Sequence, residues 1–190
     1  MNEYLNKYPW LSGYDPYPED GEEKYCIASD MPSGWMKTFG DMFFEELDAA
    51  IKDAHLENEF EVIQLKEKFG RMRFYYHPST GEIDNIVRKY EELSGNICIT
   101  CGKPDVAMLN HFGWLSPYCR HCFEEINRGR RIKSYDELVI GEETMSDAVH
   151  FVRYGRYGNQ EFKMDISETA RAIRLNWENN INKETIYYGS

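Results

Sequence analysis

Four cysteines, arranged as two Cys-x2-Cys pairs, constrain this chain more than any other feature. Seventeen residues separate the pairs, and the four cysteines are Cys98, Cys101, Cys119 and Cys122. This spacing is typical of a zinc ribbon, in which each pair wraps a tight turn around one metal ion. A redox role is the alternative, but redox Cys-x-x-Cys motifs usually occur singly, where a strand meets a helix. We therefore expect one Zn²⁺, and because four thiolates leave no open coordination position, we expect it to be structural.

The residues around the cysteines fit a ribbon over residues 96–126. Gly102 follows the first pair, where the tight turn often needs a positive φ. Residues 106–109 are predicted to form a short strand, and residues 111–114 to turn the chain back toward the second pair. His111 and His121 flank the ribbon and could replace a cysteine ligand, although histidines in such positions are more often surface groups.

Charge is distributed unevenly along the 190 residues. The first 61 residues hold 15 acidic and 4 basic residues, and this excess equals the net charge of −11 of the whole chain. Such a surface disfavours general nucleic-acid binding unless a local basic patch overrides it. The sequence has no apolar run long enough to cross a membrane and no signal-peptide pattern at its N-terminus. Because zinc-binding thiols also need a reducing compartment, these features predict a cytoplasmic location.

Apolar patterns predict an arm and two helices around the main core. Residues 1–30 are rich in proline and aromatic rings, and we expect an extended arm laid over the core, with a partner-binding arm as the alternative. The rings of this arm are Tyr4, Tyr8, Trp10, Tyr14 and Tyr17. Two amphipathic helices are predicted, one beginning at residues 32–34 and one after Gly81. Their apolar stripes are Trp35, Phe39, Met42, Phe43, Leu47 and Ile51 in the first, and Ile83, Ile86, Val87, Tyr90 and Leu93 in the second.

A β-hairpin with one basic face is predicted between these helices, over residues 60–76, with its turn at Phe69 and Gly70. Pairing Lys68 with Arg71 across the turn places all the basic side chains on one face. Like charges that oppose each other destabilise a hairpin. We expect this face either to form salt bridges with the acidic first third or to bind an anion such as a nucleotide phosphate. The basic face comprises Gln64, Lys66, Lys68, Arg71, Arg73 and Tyr75, and the apolar face Ile63, Leu65, Phe74 and Tyr76.

Residues 129–190 are predicted to form a C-terminal α+β extension. A second basic run at residues 128–133 spans its beginning, and both solvated surface and nucleic-acid contact remain open for this run. Ser134 and Glu137 have the spacing of a capping box. A hairpin is predicted from residues 148–154 and 160–166. A final helix is expected from Ser167 to about Glu178, followed by a loose or edge segment over residues 180–190.

Several of these motifs, taken as a set, resemble a family of small proteins from bacteriophages, prophages and mobile elements, chiefly of bacteria related to the Firmicutes. The shared motifs are GW at 34–35, KEKFGRMRFY at 66–75, YEELS at 90–94, CxxCGKP at 98–104 and GWLSPYCxxC at 113–122. The match spans residues 8–125, and the common form of the family has leucine at the position of Met72. The resemblance implies a phage-associated zinc protein in the bacterial host cytosol. It also implies that the basic hairpin and both Gly-Trp pairs recur together, which adds Trp35 and Trp114 to the expected ligand surface.

These patterns predict an α+β fold in which a small mixed core of helices and a β-hairpin, over residues 31–128, contains the embedded four-cysteine zinc ribbon. The expected function is non-enzymatic binding of a host protein or a small anionic, nucleotide-like ligand, with counteraction of a host defence as one role. The alternatives are a zinc-ribbon nucleic-acid-binding protein and a metal-dependent, nuclease-like enzyme. The chain lacks glycine-rich phosphate loops and the common hydrolase motifs, which disfavours an enzyme, and no catalytic residue is predicted. The candidate ligand-binding residues are Gln64, Lys66, Lys68, Arg71, Arg73, Tyr75, Trp35 and Trp114.

Overall fold

The computed structural model describes residues 2–13, 25–111, 113–140, 152–157 and 160–188. Its α-helices are α1 (Asn2–Lys7), α2 (Ser33–Trp35), α3 (Asp41–Asp53), α4 (Gly81–Ser94), α5 (Arg120–Ile126), α6 (Tyr135–Leu138) and α7 (Ser167–Tyr188). A π-helical segment spans Met36–Gly40, and 3₁₀ turns span Pro9–Leu11 and Ile27–Asp30. The strands form antiparallel pairs: β1 (Glu61–Lys68) with β2 (Arg71–His77), β3 (Met108–His111) with β4 (Trp114–Pro117), and β5 (Val152–Tyr157) with β6 (Gln160–Asp165). The predicted α+β fold class is confirmed.

The main core lies between α3, α4 and the inner face of the β1–β2 hairpin. Helix α4 buries the stripe predicted for it, and most of the stripe predicted for a single first helix is buried along α2, the π-helical segment and α3, because side chains spaced by 3.6 residues share one face of a helix. The ring of Phe43 in α3 meets those of Phe74 in β2 and Tyr90 in α4, with centroids 5.1 Å apart in each pair. Met42 was predicted in the first stripe but is only partly buried, while its neighbour Phe44 is fully buried.

Helix α4 covers the edge of β2 that does not pair with β1. The backbone N–H of Met72 donates to Ser94 Oγ at 2.8 Å, and that of Phe74 donates to Glu91 Oε1 at 3.0 Å. Side chains of the helix therefore satisfy the donors that an edge strand would otherwise expose. This packing fixes the hairpin in position against α4.

The hairpin has the predicted register near its turn, with Lys68 opposite Arg71, Lys66 opposite Arg73, and Gln64 opposite Tyr75. The prediction that Ile63 faces the core is wrong. A β-bulge between Val62 and Gln64 adds one residue to the strand and shifts the alternation there. As a result Val62 is buried, and Ile63 is 64% exposed.

Residues 2–11 of the N-terminal arm form a short helix followed by a 3₁₀ turn, not the extended segment that was predicted. It lies along one face of α3 and is held by three polar contacts. These contacts are Tyr4 Oη to Asp41 Oδ1 at 2.6 Å, Lys7 Nζ to Glu45 Oε1 at 2.9 Å, and Trp10 Nε1 to Asp48 Oδ1 at 3.0 Å. Tyr8 and Trp10 are buried in the main core, which therefore extends across the predicted boundary at residue 31. The predicted arm rings Tyr14 and Tyr17 lie outside the described residues.

The beginning of the predicted C-terminal extension packs on the ribbon. The predicted capping box of Ser134 and Glu137 is present and opens α6. Leu138 of α6 packs with Leu109 and Phe123 of the ribbon in a small second core. Residues 134–138 are therefore attached directly to the ribbon.

The end of the chain is more regular than predicted. Ile166, just before helix α7, and Ala170 and Ile173 in its first turns are buried in the main core, and the helix continues to Tyr188. The loose segment expected from residue 180 is therefore helical as far as Tyr188. Strand β5 runs to Tyr157, beyond residue 154, where the first strand of this hairpin was predicted to end. Among the described residues, no helix has the length and apolar character needed to cross a membrane.

Candidate metal site and ligand surface

The four predicted cysteines converge on one point. Their Sγ atoms all lie within 4.8 Å of one another, and Cys101 Sγ is 3.7 Å from Cys119 Sγ. A tetrahedral site with Zn–S bonds of about 2.3 Å has sulfur–sulfur edges of about 3.8 Å, so this spacing suits a metal ion. No disulfide joins these thiols, and Cys98, Cys119 and Cys122 are buried. The cluster can therefore hold a metal ion through sulfur alone.

The backbone around each pair forms the tight turn that metal-binding cysteines need. Gly102 has a φ of +82°, as predicted, and its N–H donates to the carbonyl of Cys98 at 2.9 Å. Two further N–H groups point at sulfur, from Lys103 to Cys101 Sγ at 3.5 Å and from Cys122 to Cys119 Sγ at 3.4 Å. A hydrogen bond from the Cys101 thiol, helped by nearby backbone N–H groups, lowers the pKa of Cys98, and the same contact raises the pKa of Cys101. Backbone N–H donors stabilise the thiolate, which is the form that binds metal.

Two glycines allow the first cysteine turn to lie directly against α2 and the π-helical segment. A Cβ at Gly34 would lie 2.2 Å from the carbonyl oxygen of Cys98, and one at Gly102 would lie 2.0 Å from Thr38 Oγ1. Instead the N–H of Gly34 donates to the carbonyl of Ile99 at 3.0 Å, and Thr38 Oγ1 donates to the carbonyl of Gly102 at 2.8 Å. The metal site is therefore built on the core.

Trp35 belongs to this junction and not to a ligand surface. Its side chain is fully buried, and Nε1 donates to the carbonyl of Ile97 at 3.0 Å. Because no part of the indole reaches solvent, Trp35 has no face for a ligand, and the prediction that placed it in the ligand surface is corrected. The other predicted tryptophan, Trp114, is 71% exposed at the start of β4.

The two arginines of the basic face are paired with glutamates of α4. Arg71 forms an ion pair and a hydrogen bond with Glu92, and Arg73 Nη1 lies 3.6 Å from Glu91 Oε2. Burial raises the pKa of Glu91, while the N–H of Phe74 and the charge of Arg73 favour its ionised form. Salt bridges were expected here with the acidic first third of the chain. The partners lie instead in α4, because that helix covers β2.

The lysines of the same face project toward solvent. Lys68 is exposed, and Lys66 is half-buried with its Nζ bonded to Gln64 Oε1 and 5.2 Å from the ring centroid of Tyr75. The predicted face is therefore divided. Gln64, Lys66, Lys68 and Tyr75 form an outer group, which we call the lysine face, and the arginines anchor the hairpin to α4.

Phe69, at the hairpin turn, was not predicted as a functional residue. It has a φ of +55° beside Gly70 at +74°, and its ring is 61% exposed. Both central residues of this turn have positive φ, a conformation that favours asparagine or glycine and costs a bulky residue about 1 kcal/mol or more. The sequence signal was the Phe-Gly pair in a position where Asn-Gly is usual.

The turn of the β1–β2 hairpin lies against the β3–β4 hairpin. Gly70 permits this approach at the open end of the second hairpin, since a Cβ there would lie 2.4 Å from Met108 Sδ and 3.3 Å from Pro117 Cδ. A cavity of about 210 Å³ between the hairpins is lined by Glu67, Lys68, Phe69, Gly113, Trp114 and Leu115. A second cavity of about 330 Å³ shares Phe69 and Leu115 with the first and is also lined by Arg71, Gly95, Asn96, Met108 and Ile140. Exposed aromatic and basic side chains therefore meet beside Phe69.

Comparison with known proteins finds no matching family model, no matching curated protein and no matching solved structure.

Proposed function

We propose that the four cysteines bind one zinc ion per chain and that this zinc is structural. The proposal is supported by the convergence of four sulfur atoms at distances that suit tetrahedral coordination. A site closed by four thiolates has no position for a water molecule or a substrate. This argues against a metal-dependent, nuclease-like enzyme at these cysteines.

The protein is, in this proposal, a non-enzymatic binding protein of phage or mobile-element origin that acts in the cytosol of a bacterial host. Its lysine face binds a host protein or a small anionic ligand, and this binding counteracts a host defence. The observation that carries the proposal is the exposed Lys68 beside the half-buried Lys66, on a hairpin whose arginines are already paired. A rigid basic surface beside a tyrosine ring suits recognition of phosphate or carboxylate.

Capture from host lysate tests this function. The immobilised, zinc-loaded protein is incubated with lysate, and the bound proteins and small molecules are identified by mass spectrometry. We expect a ligand that the wild type retains and the variant Lys66→Ala/Lys68→Ala loses. The matched control is Arg130→Ala/Arg131→Ala, which removes two exposed cations from the second basic run. Equal retention by the lysine variant would show that the lysine face is not the binding surface.

A zinc-ribbon nucleic-acid binder is the second candidate, favoured by the exposed cations Arg130, Arg131 and Lys133 close to the ribbon. Binding driven by phosphates must weaken steeply as salt increases, because counterions are released. A mobility-shift assay at low and high salt, with both double variants, separates the candidates. A salt-sensitive shift that the Arg130→Ala/Arg131→Ala variant loses would favour this second function.

A further inference from the structure

We propose that the cavity between the two hairpins, lined by Phe69 and Trp114, binds a nucleotide, with its heteroaromatic base against these two rings and its phosphate at Lys68, on the side where Lys66 follows along the strand. The inference rests on the proposed binding function of the lysine face and names the ligand class. The shared chemistry is a base that carries an adjacent phosphate. A free mononucleotide and one nucleotide of a single strand are its two possible sources.

The cavity offers aromatic surface that the fold does not use. The rings of Phe69 and Trp114 are 61% and 71% exposed, and both line the same cavity of about 210 Å³. Leu115 and Gly113 complete its apolar lining. Bases stack on such rings with little dependence on sequence, because every base has an aromatic face. The space therefore suits a flat, partly apolar group.

The backbone at Phe69 indicates that this ring has a role beyond the turn. A turn with positive φ at both central positions is most stable with asparagine and glycine. Phe69 adopts the unfavourable conformation while its ring stays outside both buried cores. Neither burial nor turn geometry explains a phenylalanine here, whereas contact with a ligand does.

The charges around the rings match a phosphate more closely than an acidic peptide. Lys68 Nζ lies 5.4 Å from the ring centroid of Phe69, and Lys66 is two residues away on the same face. Among the described residues of the lining, the carboxylate is that of Glu67, which accepts a hydrogen bond from the N–H of Gly70. The charge of Lys68 thus lies directly beside the aromatic surface, the arrangement in which a base stacks while its phosphate is held. A peptide would need several separated anchors, but the two rings and Lys68 line one cavity.

Isothermal titration of the zinc-loaded full chain with adenosine, guanosine, cytidine and uridine 5′-monophosphates tests the inference. Ribose 5-phosphate is the control, since it has the phosphate but no base. A short single-stranded oligonucleotide forms the other arm of the experiment. We expect at least one nucleotide or the oligonucleotide to bind about tenfold or more tightly than ribose 5-phosphate. The arm that binds more tightly identifies the source.

Substitutions of Phe69 and Trp114 distinguish the loss of a ligand contact from a loss of stability. Phe69→Asn removes the ring but suits the turn, so we expect an unchanged or higher Tm with binding weakened about tenfold or more. Trp114→Ala should weaken binding similarly, and Trp114→Phe should restore part of it. Leu175→Ala is the matched control, because Leu175 is an exposed apolar residue on α7 outside this cavity. It should bind as the wild type does.

Equal binding of ribose 5-phosphate and nucleotides would overturn the inference, as would wild-type affinity in both Phe69→Asn and Trp114→Ala. A protein partner captured through Phe69 and Trp114, without nucleotide binding, would also overturn it. If a ligand from host lysate depends on Lys66 and Lys68 but not on the two rings, the inference fails while the proposed function stands. If no assay finds binding that depends on Lys66 and Lys68, the proposed function itself is rejected.

Discussion

Adjacent cations on the β1–β2 hairpin differ in what surrounds them. Arg71 and Arg73 reach carboxylates of α4, whereas Lys66 and Lys68 lie on the paired strand and extend toward solvent. Glu91 accepts a backbone hydrogen bond from Phe74 and also lies beside Arg73. Removal of the arginines would therefore leave a half-buried carboxylate without its counter-charge.

The variant Arg71→Ala/Arg73→Ala should be less stable than the wild type by about 1–2 kcal/mol. In a chain of this size that lowers Tm by about 2–4 °C per kcal/mol. Lys66→Ala/Lys68→Ala is the matched control and should change stability by less than about 0.5 kcal/mol. Thermal melts of both variants test this difference.

The pH dependence of the same melts provides a further check. Below its raised pKa, Glu91 is protonated and uncharged, so removal of the arginines leaves no unpaired charge at Glu91. The difference between the arginine variant and the wild type should therefore shrink as pH falls below that pKa and grow as pH rises through it. An equal loss of stability in both double variants at neutral pH would contradict these assignments.

At the scale of elements, the π-helical segment contacts both the turn after the first cysteine pair and helix α7. Thr38 lies in this segment and donates through Oγ1 to the carbonyl of Gly102, while its own carbonyl accepts a hydrogen bond from Asn176 Nδ2 at 2.7 Å. Arg174 reaches the ribbon directly, with Nε and Nη2 bonded to the carboxylate of Asp105 at 3.0 and 3.1 Å. Helix α7 thus contacts both the π segment and the ribbon.

Asn176→Ala should lower stability by about 1 kcal/mol, because the buried Thr38 residue loses the donor to its carbonyl. Asn179→Ala is the control, since Asn179 is exposed on the same helix. Hydrogen exchange should report faster opening of α7 in Asn176→Ala and unchanged exchange in Asn179→Ala. Identical melts and exchange in the two variants would show that this contact does not hold the helix.

Over the whole molecule, the features predicted correctly from the sequence are those that a short stretch of chain encodes by itself. The helix stripes and the hairpin register follow from periodicity and turn chemistry, and the cysteine cluster follows from spacing. The partners of Arg71 and Arg73 depend on how α4 packs against β2, which no single segment encodes. The bulge at Ile63 breaks the strict alternation on which the prediction for β1 relied. The arm was predicted as extended because proline disfavours helix. Its first proline follows a six-residue helix, Asn2–Lys7, which α3 stabilises. The end of α7 was missed because its final turns carry no clear apolar stripe.

Zinc removal should affect the whole molecule and not the ribbon alone. The ribbon is tied to the core through Gly34, Trp35 and Thr38, and to α7 through Asp105. Structural zinc contributes about 10 kcal/mol or more of folding free energy in small modules, which is comparable to the stability of an entire domain. We therefore expect Cys98→Ser, or a chelator added to the wild type, to remove the metal and abolish cooperative unfolding of the core helices.

Cys26→Ala is the control for that experiment, because Cys26 is buried in the main core outside the four-cysteine cluster. It should keep one zinc per chain by elemental analysis and a cooperative melt by circular dichroism, although its Tm will fall because a cavity replaces the buried thiol. Metal-free wild-type protein that keeps a cooperative melt of its helices would show that the core folds independently of the metal-bound ribbon. Protein purified from a reducing cytosol without zinc, and with its cysteines in disulfides, would reject the metal site altogether.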